Sequence, residues 1–298
     1  MVIPRVSAYN SPNFMNKKKI YLVIIHIFAA IGLFFTLVYL AILLGFTKTA
    51  GIKDLNRILD GKLVDNAPNS LDQNNQDKNS GEVMAWNLTE EYQSFKKSVV
   101  KDADKIKAAA EISGVNPRLI VSALLAEQLR LYTDSSREAF KQFFQPLSIL
   151  GIQSQYSWGV MGIKQDTAIQ IENNLKDRTS PFYLGLEYEK MLDFKTADHD
   201  TERFDRIIEK DNQYYSYLYT GIYMKQIMKQ WNDAGFSIDK RPEIITTLYN
   251  IGFIHSKPNA TPASGGAAIT VGGETYSFGD LASQFYYSDE LISEFPRN

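Results

Sequence analysis

Apolar and polar positions fall into three regimes along the chain. From Ile20 to Phe46, 27 residues carry no charged side chain. At about 1.5 Å per residue a helix of that length reaches roughly 40 Å, enough for a tilted membrane span. Residues 47–82 read as a flexible tether, since the stretch 61–82 has few large apolar residues and neither a helical nor a strand period. From about residue 83 to Asn298 the pattern becomes globular, some 216 residues that suit one domain, or one domain with a small appendage.

Within that region the spacing predicts a mainly helical fold. Residues 88–112 carry apolar positions at helical spacing and end at Gly114, a carboxyl-terminal cap. Asn116-Pro117 places a capping residue before a proline at the first helical position and opens a helix through about Leu131, apolar nearly all round and therefore central. Further helices are predicted over about 137–145, 165–175, 181–193, 201–232 with a break near Asp211, and 242–251. Residues 256–268, rich in Pro, Gly, Ala and Ser, read as a loop. Gly272-Gly273 between Ile269-Thr270-Val271 and Glu274-Thr275-Tyr276 predicts a small β-hairpin, and two short helices, about 279–285 and 288–294, close the chain.

Composition narrows the class. With 44% hydrophobic and 22% charged residues and no cysteine, the 298-residue chain is neither collagen-like, nor a disulfide scaffold, nor wholly disordered. The missing cysteine also excludes a lipidated amino terminus of the bacterial lipoprotein kind, so the helix itself is expected to hold the protein. The apolar run is about twice the length of a signal peptide's and lacks small residues at a cleavage site, which predicts an uncleaved anchor. Residues 1–46 carry Arg5, Lys17, Lys18 and Lys19 and no acid, so a net charge of −2 leaves −6 on the rest. No basic run there exceeds Lys96-Lys97, which argues against a nucleic-acid partner. Lys17-Lys18-Lys19 beside the span favours residues 1–19 as a short cytoplasmic tail, with the globular part extracytoplasmic. Lys48, Lys53 and Arg57 on the other side leave the inverted anchor open.

Glu127 is the residue with chemical promise. Its neighbours at i−4, i−3 and i+4 are Ala123, Leu124 and Leu131, so a carboxyl group projects from an apolar face, where a proton can be held for general-acid work on a sugar leaving group. The plainer alternative is a pair with Arg130 at i+3 or a place at the solvated helix end. Ser157-Trp158-Gly159 also reads as a turn, Met161 and Ile163 as core, and Tyr249 as an ordinary packed helix residue.

The helix bearing Glu127, then Ser157-Trp158-Gly159-Val160-Met161-Gly162-Ile163-Lys164-Gln165-Asp166-Thr167-Ala168, then Thr247-Leu248-Tyr249-Asn250-Ile251-Gly252, taken in order, resembles the lytic transglycosylase family of the lysozyme superfamily. The resemblance covers about residues 105–252 and includes Gly221 in the helix before the Tyr-Asn block. It implies a lysozyme-like helical domain, with Glu127 as the catalytic carboxyl and Ser157, Gly159, Met161, Ile163, Tyr249 and Asn250 as substrate-binding positions. It further implies peptidoglycan glycan strands as the substrate, with cleavage between N-acetylmuramic acid and N-acetylglucosamine, and no metal or organic cofactor. The chain departs from the family pattern in having Gln128 where Ser usually follows the Glu, Gly162 where Met is usually followed by Gln, and Leu248 and Ile251 around Tyr-Asn. Residues 172–212 look like a cleft-side insertion. The rival expectation is a lysozyme-like domain that holds glycan or scaffolds a cell-envelope complex without cutting. An unrelated helical sensor ectodomain is a third reading.

Other chemistries find less support. His26, His199 and His255 form no metal-binding pair at helical spacing. Ser94-Phe95-Lys96-Lys97 matches a two-position pattern of penicillin-binding proteins without its companion motifs.

Overall fold

The central element is α3 (Pro117–Thr133). Asn116 caps it, its Oδ1 accepting from the Arg118 N–H at 2.7 Å, and every side chain from Leu119 to Glu127 is buried. Such a helix needs partners all round, and the chain supplies them. In the computed structural model residues 84–133, 157–209 and 212–297 are described, with His26 and Leu33 besides. The expected span 20–46, the tether 47–82 and the helix expected at 137–145 lie outside the described residues. Among the described residues no helix is long and apolar enough to cross a membrane.

The chain divides into two compact units, Met1–Lys53 and Asp54–Asn298. Among its described residues the second is mainly helical with two small antiparallel sheets. A 3-10 turn at Ala85–Leu88 leads into α1 (Glu90–Lys101), α2 (Ala103–Ser113) and α3. Two-residue strands β1 (Ser157–Trp158) and β2 (Ile163–Lys164) pair in register Ser157↔Lys164 and Trp158↔Ile163. Then follow α4 (Gln165–Lys176), α5 (His199–Ile208), α6 (Tyr214–Asp233), α7 (Pro242–Ile251), a hairpin of β3 (Ala268–Val271) and β4 (Glu274–Ser277), and α8 (Phe278–Tyr287). The core joins Trp86, Phe95, Ile120, Leu125, Ile171, Tyr219, Trp231, Ile245, Phe278 and Phe285 in one cluster. Burying each such side chain contributes on the order of 1.5–3 kcal/mol.

The predicted hairpin forms, with Gly272 and Gly273 at φ 61° and 83° as its turn demands. Three sequence expectations need correction. The helix expected over 88–112 is two helices, broken at Asp102, whose carboxylate accepts from the Tyr217 hydroxyl at 2.9 Å and from Lys105 Nζ at 3.0 Å. Residues 181–193 form no α-helix. Their backbone bonds, such as Tyr188 N to Gly185 O and Met191 N to Tyr188 O, span three residues rather than four, and Glu189 ties the segment to Arg178 and Tyr183. Residues 288–294 form turns, with Leu291 at φ 53°.

That last deviation has a visible cause. Arg118 is fully buried and spends all its donors on carbonyls: Nε on Tyr286, Nη1 on Glu290 and Phe295, Nη2 on Phe285 and Ser288, at 2.6–3.0 Å. Carbonyls that a continuing helix would turn along its own axis are gathered onto one guanidinium. The carboxyl-terminal region is thereby built into the core, with Phe278, Leu281, Phe285 and Phe295 at 0% exposure.

Candidate functional site

Glu127 lies ten residues into α3, on the turn that also presents Gln128 and Arg130. Its side chain is buried, 3% exposed, and its Oε1 accepts from Arg130 Nη2 at 2.5 Å. The i+3 pair that the plainer alternative expects is therefore present, but it is buried rather than at a solvated end.

Over this carboxyl lies the turn Gly159-Val160-Met161-Gly162 joining β1 to β2. Gly162 adopts φ 65°, and a methyl group built on it would fall inside the van der Waals envelope of Glu127 Oε1 and 2.6 Å from Glu127 Cδ. Only glycine fits there, on both counts. The turn is held on two consecutive carbonyls. Gln128 Nε2 donates to Val160 O at 2.6 Å, and the Tyr249 hydroxyl from α7 donates to Met161 O at 2.5 Å. Burial first, and then the Glu127 carboxylate, pushes the Tyr249 phenol well above its ordinary value. The first block, the second block and the Tyr-Asn block therefore meet at one place.

The remaining expected site residues divide by what their side chains do. Ser157 is a strand residue paired with Lys164. Gly159 backs directly onto α5 and α6, where a methyl group would meet the Ile207 carbonyl and the Ser216 hydroxyl. Met161 at 0% and Ile163 at 3% exposure turn their side chains into the core. Asn250 Oδ1 accepts from the Ala267 N–H at 2.9 Å and so fixes the loop before β3. The neighbouring Thr247 Oγ1 takes the Gly265 N–H at 2.9 Å.

The segment 172–209 lies behind the turn, with the Ile207 carbonyl against Gly159. Arg203 of α5 holds Glu172 of α4 in a two-point ion pair, 2.7 Å on each arm, and the Tyr219 hydroxyl donates to the same carboxylate at 2.6 Å, all of it buried. Arg206 pairs with Glu202 and stacks on Phe194 and Tyr215. Sequence reasoning missed Gln128 as a partner of the turn, because a glutamine on a helix carries no local mark of a carbonyl 32 positions on. The Glu172–Arg203 pair was missed for the same reason.

A separate cavity of about 300 Å³ lies where Val115, Leu119, Met228, Lys229, Pro242 and Tyr286 converge, and neither Glu127 nor Tyr249 lines it. No protein-family model, curated protein or solved structure matches the chain.

Proposed function

We propose that the chain is a membrane-anchored peptidoglycan lytic transglycosylase with a lysozyme-like domain, anchored through residues 20–46 and carrying that domain outside the cytoplasm. The observation that carries this reading is the meeting of Glu127, the Gly159–Gly162 turn and Tyr249 from three distant stretches of sequence. One carboxyl suffices for the reaction. Glu127 gives a proton to the departing glycosidic oxygen, breaking its bond to C1 of the muramic acid. The substrate's own acetamido group stabilises C1, so no second protein carboxylate is required. Glu127, now the carboxylate, takes the proton from the C6 hydroxyl as that oxygen closes onto C1, leaving a 1,6-anhydro sugar. No metal or cofactor enters the scheme. Arg130 pairs with Oε1 of Glu127, the oxygen that also lies against Gly162, and its charge favours the carboxylate that takes the second proton.

Purified peptidoglycan incubated with the protein should release anhydro-muropeptides, read by mass spectrometry. Glu127→Gln keeps size and shape but has no transferable proton, and it should retain helicity while losing about 10²- to 10⁴-fold in product formation. Undiminished turnover in that variant would refute the assignment.

A second reading, a glycan-binding scaffold without cleavage, draws on one observation: Glu127 is 3% exposed and already ion-paired. Wild-type protein that sediments with peptidoglycan and releases no product decides for it.

A further inference from the structure

The two departures from the family pattern nearest the carboxyl, Gln128 and Gly162, touch one another's surroundings. Glu127 and Gln128 are adjacent on α3 yet project about 100° apart, as successive helical residues do. One side chain places its carboxyl against Gly162, and the other reaches Val160 O at 2.6 Å. The turn between them is short, so a hydrogen bond to residue 160 sets where residue 162 lies. On the far side the Tyr249 hydroxyl grips Met161 O at 2.5 Å. Two neighbouring carbonyls are thus each tied to a different helix, and the turn has no freedom to slide off the carboxyl.

We infer that Gln128 is a positioning residue: with Tyr249 it clamps the Gly159–Gly162 turn over Glu127, and Gly162 leaves the room that the carboxyl occupies. The two departures compensate one another. A longer side chain at 162 would displace the carboxyl, and a short hydroxyl side chain at 128 would not span to the Val160 carbonyl. This inference rests on the transglycosylase reading for its kinetic consequence, but its structural half can be measured without substrate.

The test uses Gln128→Met, which keeps length and shape but cannot donate, together with Tyr249→Phe and the double variant. Backbone amide exchange over residues 160–164 should accelerate at least tenfold in Gln128→Met, with α3 protection up to Leu125 unchanged. On peptidoglycan, kcat should fall about 10- to 100-fold, the scale of an ångström-sized misplacement, while KM stays within about threefold. The double variant should lose less than the product of the two single losses, since both bonds hold one turn. Unchanged exchange over 160–164, or unchanged kcat in an active enzyme, overturns the clamp. If the wild type shows no turnover at all, the transglycosylase reading falls, and the exchange rates alone uphold or overturn the clamp. Should Gln128→Met fail to fold, Gln128→Leu, which likewise has no donor, carries the same comparison.

Discussion

Two residues show how single side chains are locked to their places. Gly162 has a positive φ, and the space where its side chain would stand belongs to Glu127. Gly162→Ala should therefore destabilise by about 2–4 kcal/mol, of which about 1 kcal/mol is the left-handed backbone and the rest the clash with the carboxyl. Adding Glu127→Ala should recover the second part only, and a double-mutant cycle by urea denaturation separates the two. Additive losses would mean that the carboxyl does not sit under Gly162. Arg118 is the opposite case, a charge that is buried but fully supplied with acceptors. Burial, and then Arg297, lowers its guanidinium to about 10. Arg118→Met removes five bonds at once and leaves carbonyls without partners, for an expected loss of about 3–5 kcal/mol. Arg118→Lys, with three donors for five carbonyls, should recover only part of it.

At the scale of elements, pattern was a good guide wherever local chemistry decided the outcome. The Gly272-Gly273 hairpin, the Asn116-Pro117 start of α3 and the Gly114 cap are all set within a few residues. The failures share one cause, a decisive partner far along the chain. Val99 and Ile106 are seven residues apart, two helical turns, so the apolar spacing runs straight through Asp102, and only Tyr217 reveals the break. Residues 288–294 keep helical spacing, but Arg118 takes their carbonyls. The segment 195–206 is of this kind, held by charge rather than by period. Burial opposes ionisation of Glu202, yet the N–H groups of Lys195 and Thr196, the Thr196 hydroxyl and Arg206 hold its carboxyl at about 2. Since the folded value is depressed, the stabilisation is complete above the unfolded carboxylate's ordinary value near 4.5 and is lost as pH falls toward 2. Amide protection over residues 195–206 should drop between about pH 4.5 and 2.5 before that of α3 does, and Glu202→Gln should flatten this dependence. Equal pH dependence in variant and wild type would remove Glu202 from the role.

For the whole molecule, the mainly helical class and the order of the three blocks were legible because helical periodicity and short motifs are local. The closeness of the blocks was expected from the resemblance and from no local pattern, since Glu127, Met161 and Tyr249 meet only after α3, the β1–β2 turn and α7 have packed. Packing also leaves a property that no single element has. Tyr92, Tyr217, Tyr219, Tyr223 and Tyr249 are spread through the core, each at 8% exposure or less. Burial pushes all five phenols far above their ordinary value of 10.0, and for four of them a neighbouring carboxylate, Glu290, Asp102, Glu172 or Glu127, adds to it. Above about pH 10 the unfolded chain releases protons that the folded chain keeps, so it binds fewer protons and stability falls as pH rises. One unit above that value, each tyrosine costs about 1.4 kcal/mol. Arg118, lowered to about 10, acts with the opposite sign and offsets one of the five. The net loss is about 6 kcal/mol by pH 11, comparable with the entire stability of an ordinary domain. The globular unit should therefore be stable up to about pH 10 and unfold cooperatively near pH 11, with a last step of tyrosinate absorbance, worth the five buried rings, rising in step with the loss of helical circular dichroism. Full tyrosinate absorbance while the helix signal persists would mean that these phenols titrate in the folded state and are not buried as described.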